Sequence, residues 1–178
     1  MTKLLIQLRK ATKSLHDTIE KTTPLTKIMQ TPLHKDSYIQ ALNYLYPPIF
    51  QLESSLDKFM PEFNYQARHP LLALDLKNLG THPPKIKNLS HLQLSCEIQK
   101  YGHFYVLVGS QLGGHIIANH INQHANNLST LFFDSSDKQV WKQLINTINQ
   151  ATFNQEQEAQ IIKAATTAFE LFLPSKDI

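Results

Sequence analysis

Apolar residues recur at helical spacing along almost the whole chain. Leu4, Leu8, Ala11, Leu15 and Ile19 mark one face of a helix over residues 2–21, which Pro24 stops. Tyr38, Leu42, Leu45, Ile49, Leu52, Leu56 and Phe59 mark a second over residues 36–59, and Pro47 and Pro48 are expected to kink it. Residues 69–78 read as a short helix closed by Gly80, followed by a loop over residues 81–88, THPPKIKN. From 92 to 126 the pattern is helical again, interrupted at Gly102 and at Gly109, Gly113 and Gly114, so a long helix with a bend near 109–114 is predicted. Two further helices are predicted over 136–150 and 154–172. The second opens with Asn154 as N-cap and Gln157 three residues on, the spacing of a capping box. With no period-2 alternation and no internal repeat, the chain reads as an all-α, single-domain helical bundle over residues 1–178.

The glycines need a reason. Three of the five fall within residues 104–120, FYVLVGSQLGGHIIANH, whose remaining residues are strongly helix-compatible. Each costs roughly 0.5–1 kcal/mol relative to alanine in a helix interior. Gly109 and Gly113 are four apart, as are Ser110 and Gly114, so one face presents bare backbone and a single hydroxyl. That face suits either close helix packing through small residues or a flat ligand lying against the strip. On the first helix Arg9, Thr12, His16 and Glu20 form a polar stripe beside the apolar one, able to face one groove.

Composition narrows the choice. A formal charge of +3 and pI near 8.9 come without any Lys/Arg run, which argues against nucleic acid or an anionic membrane as partner. The single cysteine, Cys96, excludes an intramolecular disulfide, a CxxC pair and CxxCH haem attachment. No apolar run approaches the ~18 residues of a membrane span and the N-terminus has no signal-peptide pattern, so a cytoplasmic protein is expected. No glutamate begins the Glu-x-x-His motif of a di-iron bundle. His120 and His124 could share a helical face but lack an identifiable third ligand, and His103 and His115 flank the glycine-rich segment as candidate pocket residues.

LRKATKSLHDTIE, residues 8–20, resembles the segment of haem oxygenases that carries the proximal histidine, and YVLVGSQLGG, residues 105–114, resembles their glycine-rich distal helix. AATTAFELF, residues 164–172, is similar to the terminal helix of the same family, so the resemblance spans about residues 4–172 in matching order. It implies a haem slot between the N-terminal helix and a glycine-kinked distal helix. His16 is then the axial iron ligand, Glu20 orients its surroundings, and Thr12 and Phe169 are cofactor-binding. Arg9 and Tyr105 pair with one haem propionate, and Lys142 lies near the second. Another basic residue of some relatives is Asn146 here. Gly109, Gly113 and Gly114 would bring backbone over the iron, where a crowded polar surface can direct bound dioxygen.

Ser110 stands where the animal-type pattern has aspartate, as in bacterial relatives, and Val108 replaces a common acidic residue. The implied activity is cleavage of haem, both substrate and cofactor, to biliverdin, carbon monoxide and ferrous iron. It consumes dioxygen and electrons from a reductase or ferredoxin, with an electron-donating redox protein and a bilin-accepting protein as partners. The rival readings are a non-catalytic haem carrier or sensor, and a haem-free small-molecule enzyme on the same fold.

Overall fold

A computed structural model describes residues 2–86, 92–125 and 127–174. Among these the fold is all helical: α1 (Lys3–Thr22), α2 (Lys35–Leu56), α3 (His69–Asn78), α4 (Lys100–Gly109), α5 (Gly114–His124), α6 (Leu131–Asp134), α7 (Lys138–Gln150) and α8 (Gln155–Glu170). Every apolar position expected to line α2 is buried, and Tyr38, Leu42, Leu52 and Leu56 are sealed from solvent. The helix runs unbroken through Pro47 and Pro48, with Pro48 itself buried. It gives way to a 3-10 turn, Asp57–Phe63, before the predicted end at Phe59. Gly80, at φ +84°, closes α3, and the Thr81 N–H donates back to Leu76 O at 2.9 Å. Residues 81–86 have no regular structure, as expected; the rest of that predicted loop lies outside the described residues.

Two helix boundaries differ from expectation. Helical structure does not run from residue 92: residues 93–96 are non-helical and α4 starts at Lys100, after a 3-10 turn Glu97–Gln99. The bend expected near 109–114 is a change of helix type, with Ser110–Gly113 wound as a tighter 3-10 turn between α4 and α5. Asn154 and Gln157 form the expected capping box, with bonds of 2.9 and 3.0 Å, and α8 begins at Gln155. The short α6 was not predicted.

Gly102 is not an interruption. It lies within α4, where that helix makes its broadest contact, against α8. A Cβ at Gly102 would collide with Ile161 O and stand 2.6 Å from Ala165 N, so the two backbones meet without side chains between them. α8 also packs on α1, while α4 continues onto α2 and α7. α1 and α4 share no comparable interface, and the space between them is left open.

Three buried ionisable residues tie the other side of the bundle together. Glu53 on α2 accepts from Tyr65 Oη (2.6 Å), Arg68 N (2.7 Å) and both His69 N (2.9 Å) and Nδ1 (2.6 Å), which anchors the start of α3. Asp75 on α3, fully buried, accepts from Ser129 Oγ (2.5 Å), Leu131 N (3.0 Å) and Phe132 N (2.9 Å), so it caps α6 from outside that helix. The Arg68 guanidinium donates to Phe132 O and Ser135 Oγ while lying over the Phe132 ring. A buried charge keeps its place only when partners satisfy it in this way.

His103, proposed above as a pocket residue, is instead buried between α4 and α2. Ser55 Oγ gives its proton to Leu52 O, so the His103 Nδ1–H is the donor across the 3.2 Å contact to Ser55. Burial pushes the imidazole down to about 4. The unfolded chain, with histidine near 6.5, therefore binds the extra proton first as pH falls. Stability is complete above about pH 6.5 and is lost progressively towards pH 4. Wild-type protein should be about 2 kcal/mol less stable at pH 5 than at pH 7 from this residue alone. Urea melts of wild type and His103→Gln at both pH values check this: the variant should lose most of that difference.

Candidate functional site

The open space between α1 and α4 is a cavity of about 750 Å³. Its α1 wall carries Arg9, Thr12, Lys13, His16, Asp17, Ile19 and Glu20, and the facing wall carries Tyr105, Val106, Gly109, Ser110 and Leu112. Phe169 and Phe172 close one side, Phe132 and Phe133 form part of the base, and Trp141 reaches in from α7. The polar groups are thus gathered on α1, while aromatic and aliphatic side chains supply most of the remaining surface. Leu45 and Ile49 of α2 complete the apolar floor.

The polar stripe foreseen on α1 is intact. His16 keeps 56% of its side chain exposed, with Nδ1 3.6 Å from Glu20 Oε1, and its ring meets Phe169 edge-on at 6.1 Å. One imidazole nitrogen is thus near a carboxylate while most of the ring is accessible, an arrangement that lets the other nitrogen act as a ligand. Asp17 forms an ion pair with Lys13 at 2.7 Å. Among the described residues His16, Asp17 and Glu20 are the one group of three whose ligating atoms lie together, within 4.8 Å. Thr12 is buried and donates to Leu8 O at 2.9 Å, so its hydroxyl serves its own helix. Burial raises the Tyr105 hydroxyl above its ordinary value, opposed by Thr12 and by the positive charge of Arg9. Arg9 and Tyr105, distant in sequence, therefore come within electrostatic reach across the cavity.

The glycines divide. Gly109 lines the cavity, and a Cβ there would rest 3.4 Å from Trp141 Cζ3. Gly113 and Gly114 are not on the lining. A Cβ on Gly113 would meet nothing, whereas one on Gly114 would overlap Ser136 Oγ and stand 3.0 Å from Phe133 O. Gly114 thus serves packing of α5 on the segment after α6. Ser110 lines the cavity and donates to Leu107 O at 2.6 Å. Lys142 and Asn146 are exposed on α7 and do not line the cavity. His115 is also exposed and off the lining. His120 and His124 stack at 4.4 Å, and His124 Nδ1 is taken by His120 O at 3.0 Å.

Sequence reasoning missed Trp141, Phe132, Phe133, Met29 and Leu112. The two phenylalanines stand in a four-residue helix too short for a periodic signal, and their placement depends on Arg68 and Asp75. Trp141 adjoins Lys142 and is the chain's one tryptophan, which was the available clue.

The structure is thus an all-helical bundle with a largely apolar slot and one accessible imidazole on its wall. Residues 2–174 match the family model described as Heme oxygenase, and the chain belongs to this family of haem-degrading oxidoreductases. Its fold is shared with three bacterial heme oxygenases. The Neisseria meningitidis structure, with NO and CO bound, is 23% identical with TM-score 0.70, covering 100% of this chain and 96% of that one. Heme oxygenase-1 from the cyanobacterium Synechocystis, in complex with heme, is 21% identical with TM-score 0.69, covering 96% and 89%. The Leptospira interrogans enzyme is 20% identical with TM-score 0.70, covering 96% and 97%. Comparison with curated protein sequences finds no match. No helix among the described residues is long and apolar enough to cross a membrane.

The division of the glycines is testable by stability alone. Gly114→Ala should destabilise the fold by about 1–3 kcal/mol, as forced overpacking does, while Gly113→Ala should be neutral or slightly stabilising. Thermal melts of the two variants check this; equal melting points would mean that Gly114 is not a packing glycine.

Proposed function

We propose that the cavity between α1 and α4 is the haem slot and that His16 is the axial ligand to the iron. The observation that carries this reading is the position of His16, exposed on the α1 wall with Gly109 and Ser110 on the wall across the same cavity. The residues present fit the group: about 750 Å³ lies within the range of cofactor pockets, and its aromatic and aliphatic lining suits a flat apolar ring. Bound haem would supply the oxygen-activating iron and also the carbon framework that is cleaved to biliverdin, carbon monoxide and ferrous iron.

The chain's residues do the positioning. Glu20, with Oε1 3.6 Å from His16 Nδ1, biases the ring's orientation by its charge, and Phe169 limits how the imidazole can tilt. Arg9 and Tyr105 bind a propionate together, the guanidinium by charge and the phenol by donating its proton. Val106, Phe132 and Phe133 exclude water from the inner edge, and the Gly109 backbone lets the distal wall approach the ring plane without a side chain. Ser110 uses its hydroxyl proton on Leu107 O, so towards the slot its Oγ is an acceptor, able to order water beside bound dioxygen. Gly113 leaves open space next to this turn, while Gly114 supports it from behind. Lys142 is exposed near α7's cavity-facing residue Trp141, which supports a weak, solvent-screened role towards the second propionate at most. The electron donor is a reductase or ferredoxin, the product passes to a bilin-accepting protein, and the lone free Cys96 fits a reducing cytoplasm.

Purified protein mixed with hemin should show a histidine-ligated Soret band at one haem per chain, and His16→Ala should lose or change it. An unchanged spectrum and affinity in that variant overturns the assignment. Arg9→Gln should weaken haem binding about 1.5- to 5-fold, the range of an exposed ion pair. Reductant in air should then give biliverdin; a stable haem complex without turnover would make the protein a carrier.

A further inference from the structure

We propose that Trp141 is a specificity-determining side wall of the slot: it fixes the in-plane seating of the tetrapyrrole and so decides which edge of the ring lies beside the turn Ser110–Gly113. The inference rests on the haem-slot reading and adds to it a residue of α7. With the iron on His16 and one propionate held by Arg9 and Tyr105, two things are left open: which of the two propionates is taken, and which face of the nearly symmetric disc meets His16. Lys142, the other cation available on that side, is off the cavity lining. Shape must therefore settle what charge does not.

Trp141 has the geometry for this. It is the one residue of α7 on the cavity lining, and α7 is held in the core by Val140, Leu144 and Ile148, so the indole projects from a rigid base. Its six-membered ring lies against the bare Cα of Gly109, since a Cβ there would stand 3.4 Å from Cζ3 and 3.9 Å from Cη2. A Cβ at position 109 would just touch the indole, and a side chain extending beyond Cβ would compete with it for this space. The Tyr105 ring supports it at 5.4 Å with a 50° tilt. Tyr105 and Gly109 are one helical turn apart, so the indole spans a full turn of the distal wall. A rigid aromatic wall of this kind gives a sharp boundary, because close-packed surfaces yield little to a misplaced edge. A small residue at 109 therefore keeps the indole against the distal wall.

The chain's single tryptophan makes the test direct. Zinc protoporphyrin, diamagnetic and inert to degradation, is added to uniformly 15N-labelled protein and the one indole N–H resonance is followed. Ring current should displace it by many linewidths. If the porphyrin binds and the resonance stays in place, Trp141 is not a wall of the slot. If the porphyrin fails to bind the wild type, the haem-slot reading itself falls, and this proposal with it.

The second arm uses Trp141→Phe, Trp141→Leu and Trp141→Ala, with two readouts that a merely structural role would not move: the pattern of haem methyl resonances in the ferric cyanide complex, and the biliverdin isomer ratio. Trp141→Phe should keep both. Trp141→Leu and Trp141→Ala should bind haem through His16 yet show a second set of methyl resonances, with the balance between seatings changed about tenfold, equivalent to about 1.4 kcal/mol. Trp141→Leu retains more of the volume and decides the matter if Trp141→Ala does not fold. Wild-type patterns in a folded Trp141→Leu overturn the proposal.

Discussion

The close crossing of α4 and α8 at Gly102 sets the rest of the molecule. Backbone meets backbone there, with Ile161 O and Ala165 N where a side chain would otherwise stand, and Ala164, Ala165 and Ala168 keep the α8 surface equally low. α8 is thereby fixed to the distal wall while its other contacts hold α1. The slot is not a space between two helices that happen to diverge. Its width is the distance at which α8 holds α1 from α4, and its depth is limited by Phe169 and Phe172 on and just beyond that same helix. A methyl group at Gly102 would have to push α8 outwards, at a cost on the order of 1–3 kcal/mol for such overpacking. The change would propagate directly into the position of His16.

That dependence explains which parts of the fold were legible in the sequence. Helices with a long apolar period, α1, α2, α7 and α8, were readable because burial of one face fixes them independently of their neighbours. The Asn154 capping box and Gly80 were readable because their chemistry is local. Gly102 was visible but read as an interruption, since the partner that makes a glycine useful there lies some sixty residues later in the chain. α6 was invisible for the same reason in stronger form. Its four residues have no period of their own, and Asp75 supplies the acceptors for Leu131 N and Phe132 N from α3. Glu53, Arg68 and Asp75 look like ordinary surface charges in a linear sequence; only the packing of α2, α3 and α6 makes them interior.

The site divides along the same line. The α1 stripe of Arg9, Thr12, His16 and Glu20 could be read from spacing because it belongs to one helix, although Thr12 turns its hydroxyl back to Leu8 O. The glycine cluster was identified as a place of close approach, but spacing alone could not say what approaches. The answer differs at each position: Trp141 at Gly109, open space at Gly113, Ser136 and Phe133 at Gly114. Of the two readings posed as alternatives, helix packing holds for Gly114, while Gly109 alone of the three lies on the cavity lining. A 3-10 winding over Ser110–Gly113 rotates successive residues by more than an α-helix does, which is why an i, i+4 strip drawn on paper does not survive as one face.

The exposed residues of the slot complete the argument. Met29 and Leu112 line the cavity yet remain 47% and 40% exposed, and His16 stands open beside them. Apolar side chains at the mouth of a cavity gain most when a flat apolar ligand covers them, at roughly 25 cal/mol for each Å² removed from water. The inner wall, by contrast, is built from Val106, Phe132 and Phe133, which are already buried and gain little more. Further burial is therefore available mainly at the mouth, at Met29 beyond α1 and at Leu112 in the turn after α4, while α4, α7 and α8 supply the buried wall. A ligand in this slot would gain most of its apolar burial at the exposed mouth and be oriented by the buried wall behind it.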